Sequence, residues 1–388
     1  MPTLKTIDAM FNDAVERKAM PGVVATAANE RGLLYEGGFG RRDLTGTAAM
    51  TPDTVVWIAS MTKAITAAAA MQLVERGKLA LDAPAATIVP ELNAAKVLDG
   101  FDAGGQPRLR APKRPITLRH LLTHTAGYGY EIFNAAIAQY QTATNTPGIT
   151  TCTNAALTTP LLFDPGDRWE YGINIDWVGK MVEAVSGQRL DRYLQQNILG
   201  PLGMNDTSFK LSTAQRARLA SVHQRGPDGT LAPIEFELPQ EPEFLMGGGG
   251  LYGTAGDYLK FARMIMRGGT LDGTPVLRQE TVDLMGQNHI GPLEAGVMKS
   301  AIPALSNDVE LFPGISTKWG LSFVINTQPL PTGRSSNSLA WAGLANTYFW
   351  IDRTKQVCGV FLSQVLPFYD ATAVDLLVKF ETEVYRAL

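Results

Sequence analysis

The sequence predicts an α/β protein of the α+β kind: an antiparallel sheet assembled from both chain ends and flanked by helices, with a mainly helical lobe inserted between. Three observations predict it. Short β-branched and apolar runs occur early, in "GVVATAANERGLLYEGGFGRRD", and late, in "WGLSFVINT", "SLAWAGLANTYFWIDR" and "QVCGVFLSQ". The stretch between them reads mainly as helices and loops. The 388 residues exceed what one hydrophobic core ordinarily organises. Two lobes are therefore expected, a sheet lobe of residues 1–80 and 240–388 and a helical lobe of residues 81–239, with a cleft between them.

Each element has its own signal. Leu4, Ile7, Met10, Phe11 and Val15 share one face of an N-terminal amphipathic helix, which lacks the apolar core and small-residue cleavage site of a signal peptide. Two apolar runs joined by "NERG" predict a hairpin. A long helix runs from Ser60 to near Gly77. "ITLRHLLTH" has Thr117 as its N-cap, with Gly127 past its end, and "NIDWVGKMVEAVSG" runs from an Asn174 cap to Gly187. "LDRYLQQNIL" is a further helix. "TAGDYLKFARMIMRGG" carries Thr254 and Asp257 in capping-box spacing, and "YDATAVDLLVKFETEVYRAL" closes the chain as a helix.

Composition narrows the function classes. With 45% hydrophobic and 18% charged residues and a mean hydropathy of -0.01, the chain is an ordinary globular protein. A net charge of -3 supplies no field for nucleic acid. The densest basic stretch, "RLRAPKRP", holds proline rather than interleaved aromatics and reads as a solvated loop. Cys152 and Cys358 lie too far apart to suggest a disulfide framework or a zinc site. No apolar run reaches membrane-spanning length. The expectation is a soluble, cytoplasmic protein with no metal, cofactor, nucleic-acid or membrane partner.

Familiar catalytic motifs are missing: there is no GxSxG, HExxH, CxxC or phosphate-binding GKS/GKT. "GGGLYG" matches GxGxxG only formally. It follows "PQEPEFLM" rather than a strand, so it reads as a turn bringing backbone close to a cleft. His120 and His124 stand four residues apart without a carboxylate or third ligand, which favours a structural role near a helix end. His223 and His289 have no evident partner.

Ser60 and Lys63 remain. A chain of this length contains about one SxxK by chance, so placement decides. Ser60 starts a helix, at the positive end of its dipole, and Lys63 lies one turn later on the same face. The bland alternative is a serine cap beside a surface lysine. Yet "AITAAAAM" follows Lys63 and reads as buried on several sides. To act as a base near neutrality, a lysine must fall about three units from about 10.4, which takes roughly 4 to 5 kcal/mol of differential destabilisation of the ammonium. Burial and the helix N-terminus act in that direction. A neutral Lys63 could take the Ser60 proton as the hydroxyl attacks an acyl carbon. Protonating the leaving group calls for a second group, to which a tyrosine is suited if a nearby cation lowers its pKa.

"SMTK", "LLTHTAG", "PGDRWEYGI", "PLGM", "GGGGLYGTAGDY" and "WAGL" follow one another along nearly the whole chain. In that order they resemble the family VIII carboxylesterases, relatives of class C β-lactamases and penicillin-binding proteins. The segments around "LRHLLTHTAGYGY" and "DPGDRWEYGINIDW" look especially like the fungal acyltransferases that attach the side chain of statins. The resemblance implies a β-lactamase/transpeptidase-like fold, with Ser60 as acylated nucleophile, Lys63 as its base and Tyr171 as proton shuttle. It also implies that Trp341 to Gly343 replace a K-T-G strand motif and that the backbone N–H groups of Ser60 and Leu344 form the oxyanion hole, worth several kcal/mol. Two departures stand out. Ile173 occupies the asparagine position of Tyr-x-Asn, leaving Asn174 one residue out of place, and Trp341 stands where a Lys or His meets the substrate carboxylate.

Both departures shift preference from anionic β-lactams to neutral esters. The implied activity is a cofactor-free serine carboxylesterase acting on small-molecule esters, and an acyltransferase where an alcohol outcompetes water. Tyr128, Tyr130, Asn174, Trp341 and Gly343 are the candidate substrate contacts. A β-lactamase or D-alanyl-D-alanine carboxypeptidase, and a non-catalytic binding protein on the same scaffold, are the rivals.

Overall fold

The β-branched and apolar runs at the two ends of the chain meet in one antiparallel sheet of seven strands. The computed structural model describes residues 2–388, and Leu4 lies outside the residues whose side chains are described. Across the sheet the strands run Thr317–Trp319, Val324–Asn326, Leu339–Gly343, Thr347–Asp352, Val357–Leu362, Gly22–Asn29 and Gly32–Gly40. The join between the chain ends is the pairing of Val24 with Leu362 through Asn29 with Val357. Strands Thr347–Asp352 and Val357–Leu362 are buried along their whole length because helices cover both faces. On one face the terminal helices Pro2–Glu16 and Ala371–Arg386 bring Phe11 and Phe380 together at 5.9 Å, with Phe380 at 5.6 Å from Trp350 of the sheet. On the other, helix Ala255–Met266 sets Tyr258 at 5.0 Å from Phe349.

The predicted N-terminal stripe is present: Ile7 and Phe11 are buried, while Met10 and Val15 are half-buried at its margin. Helix Thr62–Glu75 packs against Asn174–Ser186 and Leu190–Leu194. Thr117 caps Leu118–Leu122 in a reciprocal box with His120, and Gly187 closes Asn174–Ser186 at φ +70°.

Other expectations are corrected. Residues 81–239 hold strands as well as helices: Val97–Phe101 pairs with Pro107–Arg110, and His223–Arg225 joins Leu231–Pro233 and Val365–Leu366. Such short strands carry too few residues to display a period, and distant partners select them. The basic stretch is a clasp rather than a solvated loop. Arg110 grips the buried Asp164 through two hydrogen bonds of 2.8 and 2.9 Å, and Arg114 pairs with Asp167 at 2.6 Å. "WGLSFVINT" breaks into two strands at Ser322, whose φ is +76°. Thr254 accepts from the Asp257 N–H, but the Asp257 carboxylate turns instead to the Asp206 N–H at 2.8 Å. His223 and His289 do have partners: His223 Nε2 accepts from the Leu44 N–H, and His289 lies 2.7 Å from both Arg119 Nη1 and the Leu284 carbonyl. Cys152 and Cys358 are buried and unpaired. Among the described residues no helix is long and apolar enough to cross a membrane.

Candidate active site

The site forms where the heads of helices Thr62–Glu75 and Asn174–Ser186 meet strand Leu339–Gly343. Val56–Trp57 pairs with Tyr252–Gly253, and the chain then turns sharply at Ala59, held at φ +46°. The turn places Ser60 in a single 3-10 turn, Ala59–Met61, running into helix Thr62–Glu75. Ser60 is therefore not a side-chain cap: it is half-buried, at the positive end of the helix. Opposite runs strand Leu339–Gly343. Only Leu339 and Ala340 pair with the neighbouring Val324–Asn326, so the edge from Trp341 to Gly343 is left to the cleft. Gly343 is required there, because a Cβ would lie 2.4 Å from the Ile58 carbonyl oxygen.

Lys63 is fully buried, which removes the surface-lysine reading. Its Nζ donates to the Gly248 carbonyl at 2.6 Å and lies 3.1 Å from Ser60 Oγ and 3.0 Å from Tyr130 Oη. Burial brings its pKa down to about 7, against the opposing pull of the Asp176 carboxylate. An uncharged amine has two N–H groups and one lone pair. With one N–H held by Gly248 and the other by Tyr130, the lone pair faces the Ser60 hydroxyl.

The Tyr171 oxygen accepts the Trp341 indole N–H at 3.1 Å, and Tyr171 lines the Ser60 cleft. Lys63 Nζ stands 4.7 Å over the Tyr171 ring. The expected cation effect does not win: burial raises the phenol pKa, and hydrogen bonding only tempers the rise. Tyr171 is thus a neutral phenol with a proton to give. His124, at φ +56°, holds the segment behind it, with Nδ1 2.9 Å from Asn174 Nδ2 and 3.5 Å from the Gly172 N–H. Burial, and Lys63 whenever it is charged, push the pKa of that imidazole well below its ordinary value. His120, by contrast, caps its own helix.

The structure separates the other predicted contacts. Tyr130, Trp341, Gly343 and Leu344 line the Ser60 cleft. Asn174 does not: it is the first residue of its helix rather than the cap, fully buried, and committed to His124 and the Tyr128 carbonyl. Tyr128 is buried away from the cleft with its ring stacked on Trp177. The cleft, counted with its open mouth, spans about 540 Å³, and no charged side chain lines it among the described residues. Its walls include Trp57, Ile132, Phe133, Ile149 and Met246.

Asp176 is the residue that sequence reasoning missed. It lies fully buried in the first turn of helix Asn174–Ser186. Its Oδ1 accepts the Gly248 N–H at 2.8 Å, while Oδ2 has no hydrogen-bond partner among the described residues. A Cβ on Gly248 would lie 2.6 Å from Oδ2, so glycine is needed there. One residue, Gly248, thus links Asp176 to Lys63, its N–H held by the carboxylate and its carbonyl facing the amine. Burial pushes the Asp176 carboxyl up, and the Lys63 charge opposes the rise. The only sequence signal was an acidic residue in a first helical turn, which ordinarily means no more than a dipole partner.

A model of the family described as Beta-lactamase matches residues 7–381. Monacolin J acid methylbutanoyltransferase of Aspergillus terreus is 32% identical over 401 residues, covering 98% of this chain and 95% of the relative. Lovastatin esterase of Penicillium rubens is 32% identical over 396 residues, with 98% of each covered. Among solved structures, unliganded simvastatin synthase from Aspergillus terreus superposes with a TM-score of 0.88 at 31% identity, covering 99% of this chain and 98% of the other. EstCE1, a hydrolase with promiscuous acyltransferase activity, shares the fold at a TM-score of 0.77 and 22% identity, covering 99% and 98%.

Proposed function

The chain belongs to the beta-lactamase family of serine hydrolases, and from that premise we propose that it is a carboxylesterase working through an acyl-enzyme on Ser60, with acyl transfer to alcohols as its second outcome. The observation that carries the proposal is a fully buried amine 3.1 Å from a helix-terminal hydroxyl. Lys63, uncharged, takes the Ser60 proton as Oγ attacks the ester carbon. The backbone N–H groups of Ser60 and Leu344 receive the developing oxyanion. As the acyl–oxygen bond breaks, Tyr171 gives its proton to the leaving alkoxide and is reprotonated from Lys63. Water, or an alcohol seated in its place, then attacks the acyl-enzyme by the reverse path.

The substrate class follows from the walls. An uncharged, largely apolar cleft takes a neutral acyl chain without stranding a charge. Asn174 is turned inward and Trp341 lies on the strand edge, so neither the amide nor the carboxylate of a β-lactam has its usual partner. Relatives named as an esterase and as an acyltransferase support both fates of the acyl group.

The test is intact mass after a fluorophosphonate or activated ester, with hydrolysis of nitrophenyl butyrate compared with that of a chromogenic cephalosporin. One adduct, lost in Ser60→Ala, and ester turnover far above cephalosporin turnover are expected. An adduct that persists in Ser60→Ala, or preference for the cephalosporin by orders of magnitude, overturns the proposal.

A further inference from the structure

A second cleft of about 540 Å³ adjoins the first, and Trp341 and Met298 form part of the walls of both. The second is floored by Trp169, Val297, Leu311 and Phe312, and Glu294 and Glu310 also line it. Tyr171 lines the first cleft and contacts two residues that wall the second. Its oxygen accepts the Trp341 N–H at 3.1 Å, and Trp169 stacks on its ring at 6.4 Å with only 17° between the planes. The phenol facing Ser60 is therefore held by two indoles, and both are walls of the second cleft.

We propose that the second cleft binds the alcohol portion of the ester, as leaving group in acylation and as acceptor in acyl transfer, while the Ser60 cleft holds the acyl chain. This rests on the acyl-enzyme reading above. In acylation the bond between the acyl carbon and the alcohol oxygen breaks, the alkoxide takes the Tyr171 proton and Lys63 restores it; in transfer, Tyr171 passes its proton to the uncharged Lys63 as it takes that of the alcohol, whose oxygen bonds to the acyl carbon while the bond to Ser60 Oγ breaks and Oγ takes a proton back from Lys63. In both directions the alcohol oxygen sits at Tyr171, and its carbon framework extends past Trp341.

The walls also select the class of alcohol. Leu311, Phe312 and Trp341 suit an apolar body. Glu294 accepts one hydrogen bond from Ser316 Oγ at 2.5 Å and Glu310 one from the Gly314 N–H at 3.2 Å, so each carboxylate retains acceptor capacity for hydroxyl or ammonium donors. No cationic side chain lines either cleft among the described residues. The alcohol is thus neutral or cationic and hydroxylated; a carboxylate-bearing alcohol is disfavoured. Both glutamates are exposed, so the preference is screened by salt.

The test uses three butyrate esters alike in size and alcohol acidity: those of 4-(hydroxymethyl)benzoate, its methyl ester, and 4-(aminomethyl)benzyl alcohol. At low salt, kcat/KM is expected to be about tenfold higher for the cationic ester than for the anionic one, narrowing in high salt and in Glu294→Gln/Glu310→Gln. Val297→Trp, at an exposed position lining the second cleft, is expected to lower the ratio of benzyl to methyl butyrate turnover. Ile149→Trp, in the Ser60 cleft, is expected instead to lower the ratio of hexanoate to acetate among methyl esters. A charge ranking unmoved by both glutamate changes, or Val297→Trp restricting acyl length rather than alcohol size, overturns the assignment. Loss of methyl butyrate turnover on Ser60→Ala checks the esterase reading separately, so the two can fail independently.

Discussion

Exchanging Asp176 for asparagine removes one buried negative charge from beside the base while keeping the shape of the site. An asparagine Oδ1 can still accept the Gly248 N–H that Asp176 holds at 2.8 Å, so the carbonyl facing Lys63 stays where it is. What changes is electrostatic. The carboxylate stabilises the Lys63 ammonium, and without it the amine loses its proton more readily. At an effective dielectric near 20, a neighbouring buried charge beyond direct contact contributes on the order of 2 kcal/mol, or between one and two pH units. The proposed chemistry needs the uncharged amine, so wild-type kcat/KM falls as pH drops below about 7, by about tenfold per unit. That limb belongs to the Lys63 and Asp176 pair jointly. In Asp176→Asn it is expected to move to lower pH by about one unit or more, so that the variant keeps proportionally more of its activity at pH 6. The assay is kcat/KM for nitrophenyl butyrate from pH 5 to 9, corrected for spontaneous hydrolysis, with thermal melting alongside. A limb that stays in place, or moves to higher pH, refutes the account of Lys63; a role confined to structure would lower the whole curve without shifting it.

Three further outcomes are expected. Lys63→Ala and Tyr171→Phe each lower kcat by about a hundredfold or more while thermal melting changes little; parallel losses of activity and melting temperature would mark them as structural. Tyr130→Phe removes the hydroxyl 3.0 Å from Lys63 and is expected to lower kcat by about tenfold, the worth of one buried hydrogen bond, which steady-state kinetics would read. Gly343→Ala forces the strand edge away from the Ile58 carbonyl and is expected to lower kcat/KM by about a hundredfold in the same assay, with the far-ultraviolet circular dichroism of the wild type retained.

What was readable without the fold was local. Ser60 and Lys63 are three residues apart at the head of a helix, and helical geometry alone puts them on one side. The strands at both chain ends declared themselves by runs of β-branched, apolar and aromatic residues, and Thr117 by its side chain. Reasoning from neighbourhood in the chain failed where a side chain's direction mattered. Asn174 and Tyr128 lie close to the right motifs, yet one helical step and one loop turn them into the interior.

Tertiary structure decided the rest, because desolvation and long-range contact depend on what packs around a group. Gly248 lies 72 residues from Asp176, and nothing local joins them before the intervening chain folds back. Burial likewise sets the direction of the Tyr171 shift, against the expected pull of its cationic neighbour. His223–Arg225 became a strand only because Val365–Leu366 lies beside it. Covalent spacing fixes which atoms can meet within one turn; which of them also lose their water is settled when distant segments close over them.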